Sequence, residues 1–521
     1  MTPADSNRHH EASRESALFL RNSAASSVIG ASSAVLLLAV PPVLARVLTP
    51  AAFAVWALVL QIAGYTGILG LGLQDAVGRY VAFHEERQEY AARDEFVGAA
   101  LWVLCFMALL AAAGIVLATV FLARLFPQIP PGLLPMAQGA VLATGLTLAF
   151  ALPVSVCNGT LIGLRRNDVV AAVVGTARLI LTASLITVGI KFRSLFWLAL
   201  CFVAVNAVSY LAMWICCRRI TRVSPPLRKP FRGTLQEIWS YCSATAVWQI
   251  GALMISGLDV FIVGRVDFAY LPYYTVCLVP ITVLAGVMPA LFSPLMQVGA
   301  KYAARNDDEE LGRILMRSTR LATVVMTSVA LLLIVFDREI LTAWLGAAYA
   351  LKAAPILRLI VLGHALRQLA FPYATLLLAA KKHSQLLLSP LVEGVTNLVV
   401  AVIAGSMFGA RGVAAAVIVG AVVGQLMNYF YNLPRTHGPA FDRWALVSGS
   451  ILRPLLCFLP LLPVTFMGWI GVTQSVSVAI RLFLLLASLT LVWNFAIDAD
   501  EHRIVWTLLN RGRTLPHGGD P

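Results

Sequence analysis

The feature that most constrains this chain is a series of fourteen apolar stretches between Ser23 and Ile497, each long enough to cross a lipid bilayer. The hydrocarbon core of a bilayer needs about 20 mostly apolar residues per helix. Backbone groups left unpaired in lipid are costly, which favours helices for such spans. The sequence therefore predicts an all-α polytopic membrane protein, with spans at about 23–45, 52–75, 97–122, 133–157, 169–190, 195–217, 238–264, 271–298, 321–336, 356–380, 386–408, 412–433, 451–471 and 475–497.

The composition excludes a soluble fold. Hydrophobic residues make up 59% of the 521 residues and charged residues 12%, and the mean hydropathy is +0.83. The first 21 residues are polar, and the apolar run after them is too long for the hydrophobic region of a signal peptide. The first apolar run is therefore predicted to be a transmembrane helix and not a cleaved leader.

The basic residues gather in alternate connections. Of the 39 Lys and Arg residues, 27 lie in the two tails and in every second loop, 8 lie in the remaining loops, and 4 lie within spans. Because cytoplasmic loops carry an excess of Lys and Arg, both termini are predicted to be cytoplasmic. The net charge of +14 is spread over many short loops. It predicts contacts with anionic lipid headgroups and no nucleic-acid partner.

No sequence motif points to catalysis, nucleotide binding or a metal. The eight cysteines lie in or beside apolar spans without CxxC spacing, which predicts neither a disulfide nor a metal site, and no cofactor is expected. Walker A, HExxH and dinucleotide-binding patterns are absent, and no loop exceeds about 20 residues, well below the size of a domain. These observations disfavour an ATP-driven pump or an enzyme. The function class that remains is transport through a bundle of membrane helices.

An internal repeat relates two parts of the chain. Residues 77–86 read VGRYVAFHEE and residues 299–308 read GAKYAARNDD, so a shift of 222 residues aligns a cation, a tyrosine, two small apolar residues and an acidic pair. Two cytoplasmic helix ends can also look alike by chance. Six spans separate the copies, which gives them the same orientation, as in parallel repeats. The predicted organisation is a tail (1–22), an N-lobe of six helices (23–217), a basic linker (218–236), a C-lobe of six helices (237–433), two further helices (451–497) and a second tail (498–521).

Four segments carry a family resemblance. They read LARVLTPAAF at residues 44–53, GLGLQDAVGRY at 70–80, SGLDVFIVG at 256–264 and WLGAAYA at 344–350. With these segments the chain resembles the polysaccharide (O-antigen type) flippases of the MOP exporter superfamily. One departure is the hairpin turn, which reads TPAAFA at residues 49–54, where acidic residues and a glycine are common in the family.

The resemblance implies a function and a set of partners. Such a protein would move an undecaprenyl-pyrophosphate-linked oligosaccharide to the periplasmic leaflet, for O-antigen, capsule or exopolysaccharide synthesis. Lipid cannot solvate a phosphate-bearing head rich in hydroxyls, so two lobes are expected to enclose a hydrated cavity while the tail stays in the bilayer. The expected partners are this lipid-linked oligosaccharide and membrane lipids, with polysaccharide polymerase or assembly proteins as further candidates.

Two arginines at membrane depth are the first candidate site residues, because a charge at a helix centre costs about 2.5–3.5 kcal/mol on insertion scales. Arg178 lies near the middle of the fifth span, and Arg367 lies near the middle of the tenth, one turn after His364. A guanidinium can bind a phosphate through two parallel hydrogen bonds. Each arginine is predicted either to be a cavity cation for the pyrophosphate or to pair with a buried carboxylate.

Carboxylates complete the candidate set. Glu393, with Asn397 one turn on, is a partner available to either arginine, and Asp259 lies late in the seventh span. For Glu393 and Asp259 two interpretations stay open, namely charge pairing and ion coupling. Asp75 and Arg79, four residues apart at the inner end of the second span, are predicted to pair at the cytoplasmic mouth.

Other polar and small residues within spans have a structural interpretation. Arg358 and Arg481 are expected to reach the outer headgroups by snorkelling. Glycine pairs with small-xxx-small spacing, Gly405 with Gly409 and Gly420 with Gly424, predict close helix packing. Uncharged polar residues are predicted to bind sugars or to form interhelical hydrogen bonds: Gln61, Asn206, Gln249, Gln425, Asn428 and Asn494.

Three other classes of protein are alternatives to a flippase. An ion-coupled drug antiporter of the multidrug and toxin extrusion type shares the superfamily fold, but favours twelve spans and a more acidic cavity. A membrane-embedded glycan polymerase or ligase would be expected to carry a sizeable periplasmic loop. A non-transporting scaffold of a glycan assembly complex also fits the sequence.

Overall fold

The computed structural model describes residues 3–221, 223, 232–380, 388–436, 442–461, 464, 474–498 and 502. Every regular element in these ranges is helical. The α-helices are α1 (Pro3–Val47), α2 (Pro50–Gly64), α3 (Leu73–Glu86), α4 (Tyr90–Val120), α5 (Leu122–Leu125), α6 (Leu134–Gly163), α7 (Asn167–Phe192), α8 (Leu195–Ile220), α9 (Arg232–Ala252), α10 (Asp259–Val266), α11 (Leu271–Ala304), α12 (Asp308–Val335), α13 (Asp337–Leu345), α14 (Ala347–Gln368), α15 (Phe371–Ala379), α16 (Leu388–Met427), α17 (Leu433–Arg435), α18 (Arg443–Ala445), α19 (Arg453–Leu456) and α20 (Gln474–Leu491).

Short irregular helices interrupt several spans. The 3₁₀ segments are Tyr65–Gly70 and Phe268–Tyr270, and the π segments are Leu253–Gly257, Asn428–Asn432, Leu446–Leu452 and Val492–Ala496. Single π turns inside α-helices are often found at functional positions. The interruption at Leu253–Gly257 directly precedes Asp259.

In the part of the chain that the structure describes, thirteen helices are long and apolar enough to cross a membrane. The prediction of fourteen spans differs because one helical segment, Leu388–Arg435, contains both the predicted eleventh and twelfth spans. As a straight helix its 48 residues would extend roughly 72 Å, more than twice the thickness of a bilayer core. The segment is instead broken at Gly409, where φ is 61° and ψ is −143°.

Gly409 makes this break possible. A positive φ favours glycine, and a Cβ at this position would collide with Oδ2 of Asp267. The same Asp267 oxygen accepts a hydrogen bond from the backbone N–H of Ala410 at 3.1 Å, close to the start of the returning helix. Close packing was predicted for Gly405, and a Cβ there would lie 2.9 Å from Cγ2 of Val413. The turn therefore explains Gly409, and helix packing explains Gly405.

The second span is longer than predicted and is also interrupted. It covers Pro50–Glu86 as α2, a 3₁₀ segment and α3, where the sequence predicts about 52–75. Leu71 and Gly72 have φ values of 47° and 68°, so the chain turns through the left-handed region just before α3 begins. The glycine-rich sequence at residues 70–72 is the local cause, because glycine tolerates this region.

The helices pack into two compact units. Unit 1 comprises Met1–Val279, Leu341–Ile356 and Asn397–Ala416, and unit 2 comprises Pro280–Ile340, Leu357–Thr396 and Val417–Pro521. The predicted lobes, 23–217 and 237–433, stay a prediction. Parts of the predicted linker, thirteenth span and C-terminal tail lie outside the described residues.

Unit 1 is held by close packing of α3 on α6. Cβ atoms added at Gly159 and Gly163 would lie 2.5 Å and 2.6 Å from backbone oxygens of Gln74 and Gly78. The two glycines lie one turn apart on one face of α6, so the backbones of α3 and α6 approach each other directly. Around this contact lies an apolar cluster that includes Leu73, Val77, Val81, Phe96, Ala100, Leu104, Leu152 and Val156.

Unit 2 has its own apolar cluster. It joins α11, α12 and α15 and includes Leu284, Met288, Phe292, Leu311, Leu315, Met326, Tyr373 and Leu376. A Cβ at Gly299 of α11 would lie 2.8 Å from Cδ2 of Leu376, so these helices also approach closely at a glycine.

Candidate functional site

A polar pocket lies among α6, α7 and α8 in unit 1. Its volume is about 200 Å³, and five of its lining residues carry polar side chains: Asn158, Arg178, Asn206, Ser209 and Tyr210. We call it the arginine pocket. Its lining comes from three helices that are otherwise apolar enough to cross a membrane. Polar side chains at such depth are costly and mark functional positions.

Arg178 is anchored to α1 by one nitrogen of its guanidinium. Nη1 donates to the carbonyl oxygen of Ile29 at 3.1 Å and to Oγ of Ser33. Gly175, one turn earlier on α7, allows the approach, because a Cβ there would already lie 3.3 Å from Val28. Nε and Nη2 make no hydrogen bond to any described residue. No carboxylate within the described ranges pairs with Arg178.

Two amide side chains of the arginine pocket differ in their hydrogen bonding. Oδ1 of Asn158 is buried and has no hydrogen-bond partner among the described residues. Nδ2 of Asn206 donates to the carbonyl oxygen of Phe202 at 2.8 Å, which fixes the orientation of that amide. A buried acceptor without a donor costs about 1–3 kcal/mol.

Asp259 belongs to a second polar cluster in unit 1. Its side chain is 1% exposed and accepts hydrogen bonds from Tyr274 Oη at 3.1 Å and from Asn397 Nδ2 at 3.3 Å. Asn397 also donates to the carbonyl oxygens of Met254 and Ile255, at 3.2 Å and 2.9 Å. These carbonyls belong to the π segment, so the amide of Asn397 compensates for the irregular backbone before Asp259.

The same interruption is bound from the second span. The carbonyl oxygen of Gly257 accepts hydrogen bonds from Gln61 Nε2 at 2.9 Å and from Tyr65 Oη at 2.7 Å. A cavity of about 260 Å³ adjoins it and is also lined by Gln249. The prediction of interhelical hydrogen bonding is confirmed for Gln61. Tyr65 and Tyr274 were missed, because a tyrosine within an apolar run looks like an ordinary core residue.

Arg367 and Glu393 form an ion pair in unit 2. Nε of Arg367 contacts Oε1 of Glu393, and its Nη1 lies 3.1 Å from Nδ1 of His364. The side chains of Arg367 and Glu393 are only 18% and 10% exposed. Nη2 of Arg367 is buried without a partner among the described residues. The structure thus shows the charge-pairing alternative for both residues, and a role of either in transport stays a prediction.

Small and amide side chains make room for this pair. A Cβ at Gly424 would lie 2.6 Å from Oε2 of Glu393, so the predicted close packing at Gly424 occurs against the carboxylate itself. Gln425 donates through Nε2 to the carbonyl oxygens of Leu366 and Arg367, at 2.7 Å and 3.3 Å. Gln425 therefore forms the interhelical hydrogen bonds that were one of its two predicted uses.

Arg358 and Arg481 each have a carboxylate partner, and their predicted snorkelling to the outer headgroups stays a prediction. Arg358 binds both carboxylate oxygens of Asp337, at 2.6 Å from Nε and 3.2 Å from Nη2, and Asp337 is 1% exposed. Arg481 binds Glu339 at 2.9 Å and the carbonyl oxygen of Val335 at 3.0 Å. Both carboxylates lie in α13, just beyond the predicted ninth span, so each arginine has a local counter-ion.

The predicted ion pair between Asp75 and Arg79 is not formed. Both residues are exposed on α3, and within the described ranges neither makes an ion pair. On an exposed helix surface such a pair is worth only about 0.3–0.5 kcal/mol, so water competes with it effectively. Their placement at the cytoplasmic mouth stays a prediction.

The structure brings only some of the candidate residues together. Arg178 and Asp259 lie in unit 1 with separate sets of partners, whereas Arg367 and Glu393 pair in unit 2. No cluster of three or more His, Cys, Asp or Glu side chains suited to a metal occurs in the described part of the chain.

Comparisons with known proteins agree with these observations. A family profile described as "Polysaccharide biosynthesis protein" matches residues 43–355, more than half of the chain. A search of curated proteins gives no match. Among solved structures, an inward-facing multidrug resistance MATE family transporter of the MOP superfamily aligns with a TM-score of 0.67 and 14% identity, covering 80% of this chain and 95% of that one.

Two further structures extend the comparison. The lipid II flippase MurJ, in an inward closed conformation, aligns with a TM-score of 0.66 and 15% identity, over 90% of this chain and 98% of that one. A MOP superfamily transporter from Pyrococcus furiosus aligns with a TM-score of 0.53 and 14% identity, over 80% and 96%. At these identities the likeness establishes the fold. The predicted all-α, multi-span membrane fold is confirmed.

Proposed function

Because the chain belongs to the polysaccharide biosynthesis protein family and has the fold of MOP superfamily transporters, we propose that it is a flippase for a lipid-linked oligosaccharide. In this proposal it moves an undecaprenyl-pyrophosphate-linked glycan across the bacterial inner membrane for surface polysaccharide synthesis. Both termini lie in the cytoplasm, as the distribution of Lys and Arg indicates. The family and the fold are those of transporters, which supports the prediction that the chain is not an enzyme.

The observation that supports the proposal most is the arginine pocket. It offers a guanidinium edge without a protein partner among the described residues and buried hydrogen-bonding groups, within helices that otherwise suit lipid. An anionic, hydroxyl-rich head needs such groups when it leaves water. The likeness to a lipid II flippase supports a lipid-linked substrate.

Deletion of the gene in its host tests the proposal. We expect a complete lipid-linked repeat unit to accumulate on the cytoplasmic side and surface polymer to be lost, because assembly would lack its translocation step. Mass spectrometry of extracted undecaprenyl-linked intermediates and of surface glycan measures both. Complementation with the wild-type gene is the control. Normal glycan with new drug sensitivity would instead place the protein among the drug antiporters.

Ion coupling through Asp259 is part of the proposal. The motivation is a carboxylate that is 1% exposed at membrane depth and bound by neutral donors, Tyr274 and Asn397. If protons drive transport, an imposed pH gradient should accelerate wild-type transport in proteoliposomes, and Asp259→Asn should remove that acceleration. Equal acceleration in both proteins would exclude Asp259 as the coupling residue.

A further inference from the structure

The arginine pocket carries a more specific inference about the glycan, which rests on the proposed function. Among the described residues, the guanidinium of Arg178 donates hydrogen bonds only through Nη1. The edge formed by Nε and Nη2 is therefore left for a ligand. Two parallel N–H groups on this edge match the two oxygens of one carboxylate or phosphate. The pocket is therefore built for an anionic group that binds side-on.

The charge of the pocket favours a singly charged group. Arg178 is its one cationic lining residue among those described, and its other polar lining groups, Asn158, Asn206, Ser209 and Tyr210, are neutral. A pyrophosphate diester carries two negative charges, and the second would be left without a counter-ion in the pocket. An uncompensated charge at this depth is strongly unfavourable. A carboxylate matches the single guanidinium.

The remaining groups call for hydroxyl groups beside the anion. Asn158 lines the pocket, and its amide Nδ2 makes no hydrogen bond to a described residue, so it can donate to a ring hydroxyl. The cavity of about 200 Å³ holds roughly seven water molecules at about 30 Å³ each, which corresponds to one sugar ring. We propose that the arginine pocket binds one acidic monosaccharide unit of the transported glycan, with its carboxylate on Arg178 and a ring hydroxyl on the amide Nδ2 of Asn158.

Binding of soluble probes to the purified full-length protein in nanodiscs tests this inference. The probes are methyl glucuronide, methyl glucoside, which has a hydroxymethyl group in place of the carboxylate, and inorganic pyrophosphate. We expect the glucuronide to bind at least tenfold more tightly than the glucoside. We also expect Arg178→Gln to abolish this preference and Asn158→Leu to weaken both sugars. Saturation-transfer NMR or calorimetry measures the binding.

Two controls make the result interpretable. Lys191→Gln removes a cation from the exposed end of the same helix and should leave glucuronide binding unchanged. Arg178→Lys keeps the charge but lacks the two parallel N–H donors, so it should weaken glucuronide binding severalfold. This variant is used in place of Arg178→Gln if the glutamine variant does not fold. Before binding is measured, the size-exclusion elution profile of each variant is compared with that of the wild-type protein to check that the variant is folded.

The outcomes separate this inference from the proposed function. Tighter binding of pyrophosphate than of glucuronide, insensitive to Asn158→Leu, would overturn the inference and assign Arg178 to the lipid phosphates. Equal binding of glucuronide and glucoside, or no binding of either, would also overturn it. The proposed flippase function would still stand in those cases if gene deletion traps a lipid-linked repeat.

Discussion

Glu393→Ala is expected to destabilise unit 2 strongly, by about 3–5 kcal/mol, because it leaves the guanidinium of Arg367 buried without its counter-ion. Arg367 is 18% exposed, and one of its nitrogens already lacks a partner among the described residues. The lone pair of His364 Nδ1 cannot neutralise the charge. The loss of stability is measured as a lower unfolding temperature. The detergent-solubilised protein is heated to a series of temperatures, and the fraction that stays folded is quantified by size-exclusion chromatography.

A matched control and a double variant separate charge burial from other effects. Glu309→Ala removes an exposed carboxylate from α12 in the same unit and should leave the unfolding temperature nearly unchanged. Glu393→Met combined with Arg367→Met removes both charges and should recover most of the stability, since apolar replacements of a buried pair are often neutral. If Glu393→Ala unfolds at the wild-type temperature, the ion pair does not stabilise the protein.

Arg178→Gln is expected to reduce transport of the lipid-linked glycan roughly 10- to 100-fold while the protein remains in the membrane. A hydrogen bond to a charged group contributes about 1.5–3 kcal/mol, and every 1.4 kcal/mol corresponds to about a factor of ten. Glutamine keeps hydrogen-bonding capacity toward Ile29 and Ser33 but removes the cation. Complementation of the deletion strain, with surface glycan quantified against membrane protein level, measures the effect.

The control for Arg178→Gln lies on the same helix. Lys191→Gln removes one positive charge at the exposed end of α7 and should complement fully. Ser33→Ala removes one anchor of Arg178 while the carbonyl of Ile29 remains, so a modest decrease is expected. Full complementation by Arg178→Gln at normal protein level would exclude Arg178 from the transport pathway.

The sequence was sufficient to predict the membrane fold. The bilayer requires long apolar helices with internally paired backbones, so hydropathy reports the spans almost directly. Gly409 was interpreted as a packing glycine, whereas it is the residue at which the segment Leu388–Arg435 breaks between the predicted eleventh and twelfth spans. Its role became visible only with the contact to Asp267, a residue more than a hundred positions earlier.

The site could be predicted in part. A charge within an apolar run is visible in the sequence, which is why Arg178, Arg367, Asp259 and Glu393 were candidates. The position of a residue along a predicted span gives its depth in the membrane, but it does not show which side chains of other helices lie next to it. The sequence therefore left the partner of Arg367 open, and the structure shows its contact with Glu393.

Residues that bind an irregular backbone were the least predictable. The π segment Leu253–Gly257 exposes carbonyl groups, and Gln61, Tyr65 and Asn397 from distant segments bind them. Nothing in the local sequence reports such a break, because it depends on partners that the fold brings close. The carboxylates in α13 that pair with Arg358 and Arg481 were missed because the position of an arginine along a span does not show which side chains the fold brings beside it.

The most direct test of the central claim is translocation in proteoliposomes. Lipid-linked oligosaccharide extracted from the deletion strain is reconstituted with the purified protein, and the glycan accessible from outside to a membrane-impermeant oxidant is measured over time. We expect vesicles with wild-type protein to expose their inner-leaflet glycan to the oxidant within minutes to hours. In protein-free vesicles and in vesicles with Arg178→Gln this glycan should stay protected. Equal protection in wild-type and protein-free vesicles, with correctly folded protein present, would contradict the flippase assignment.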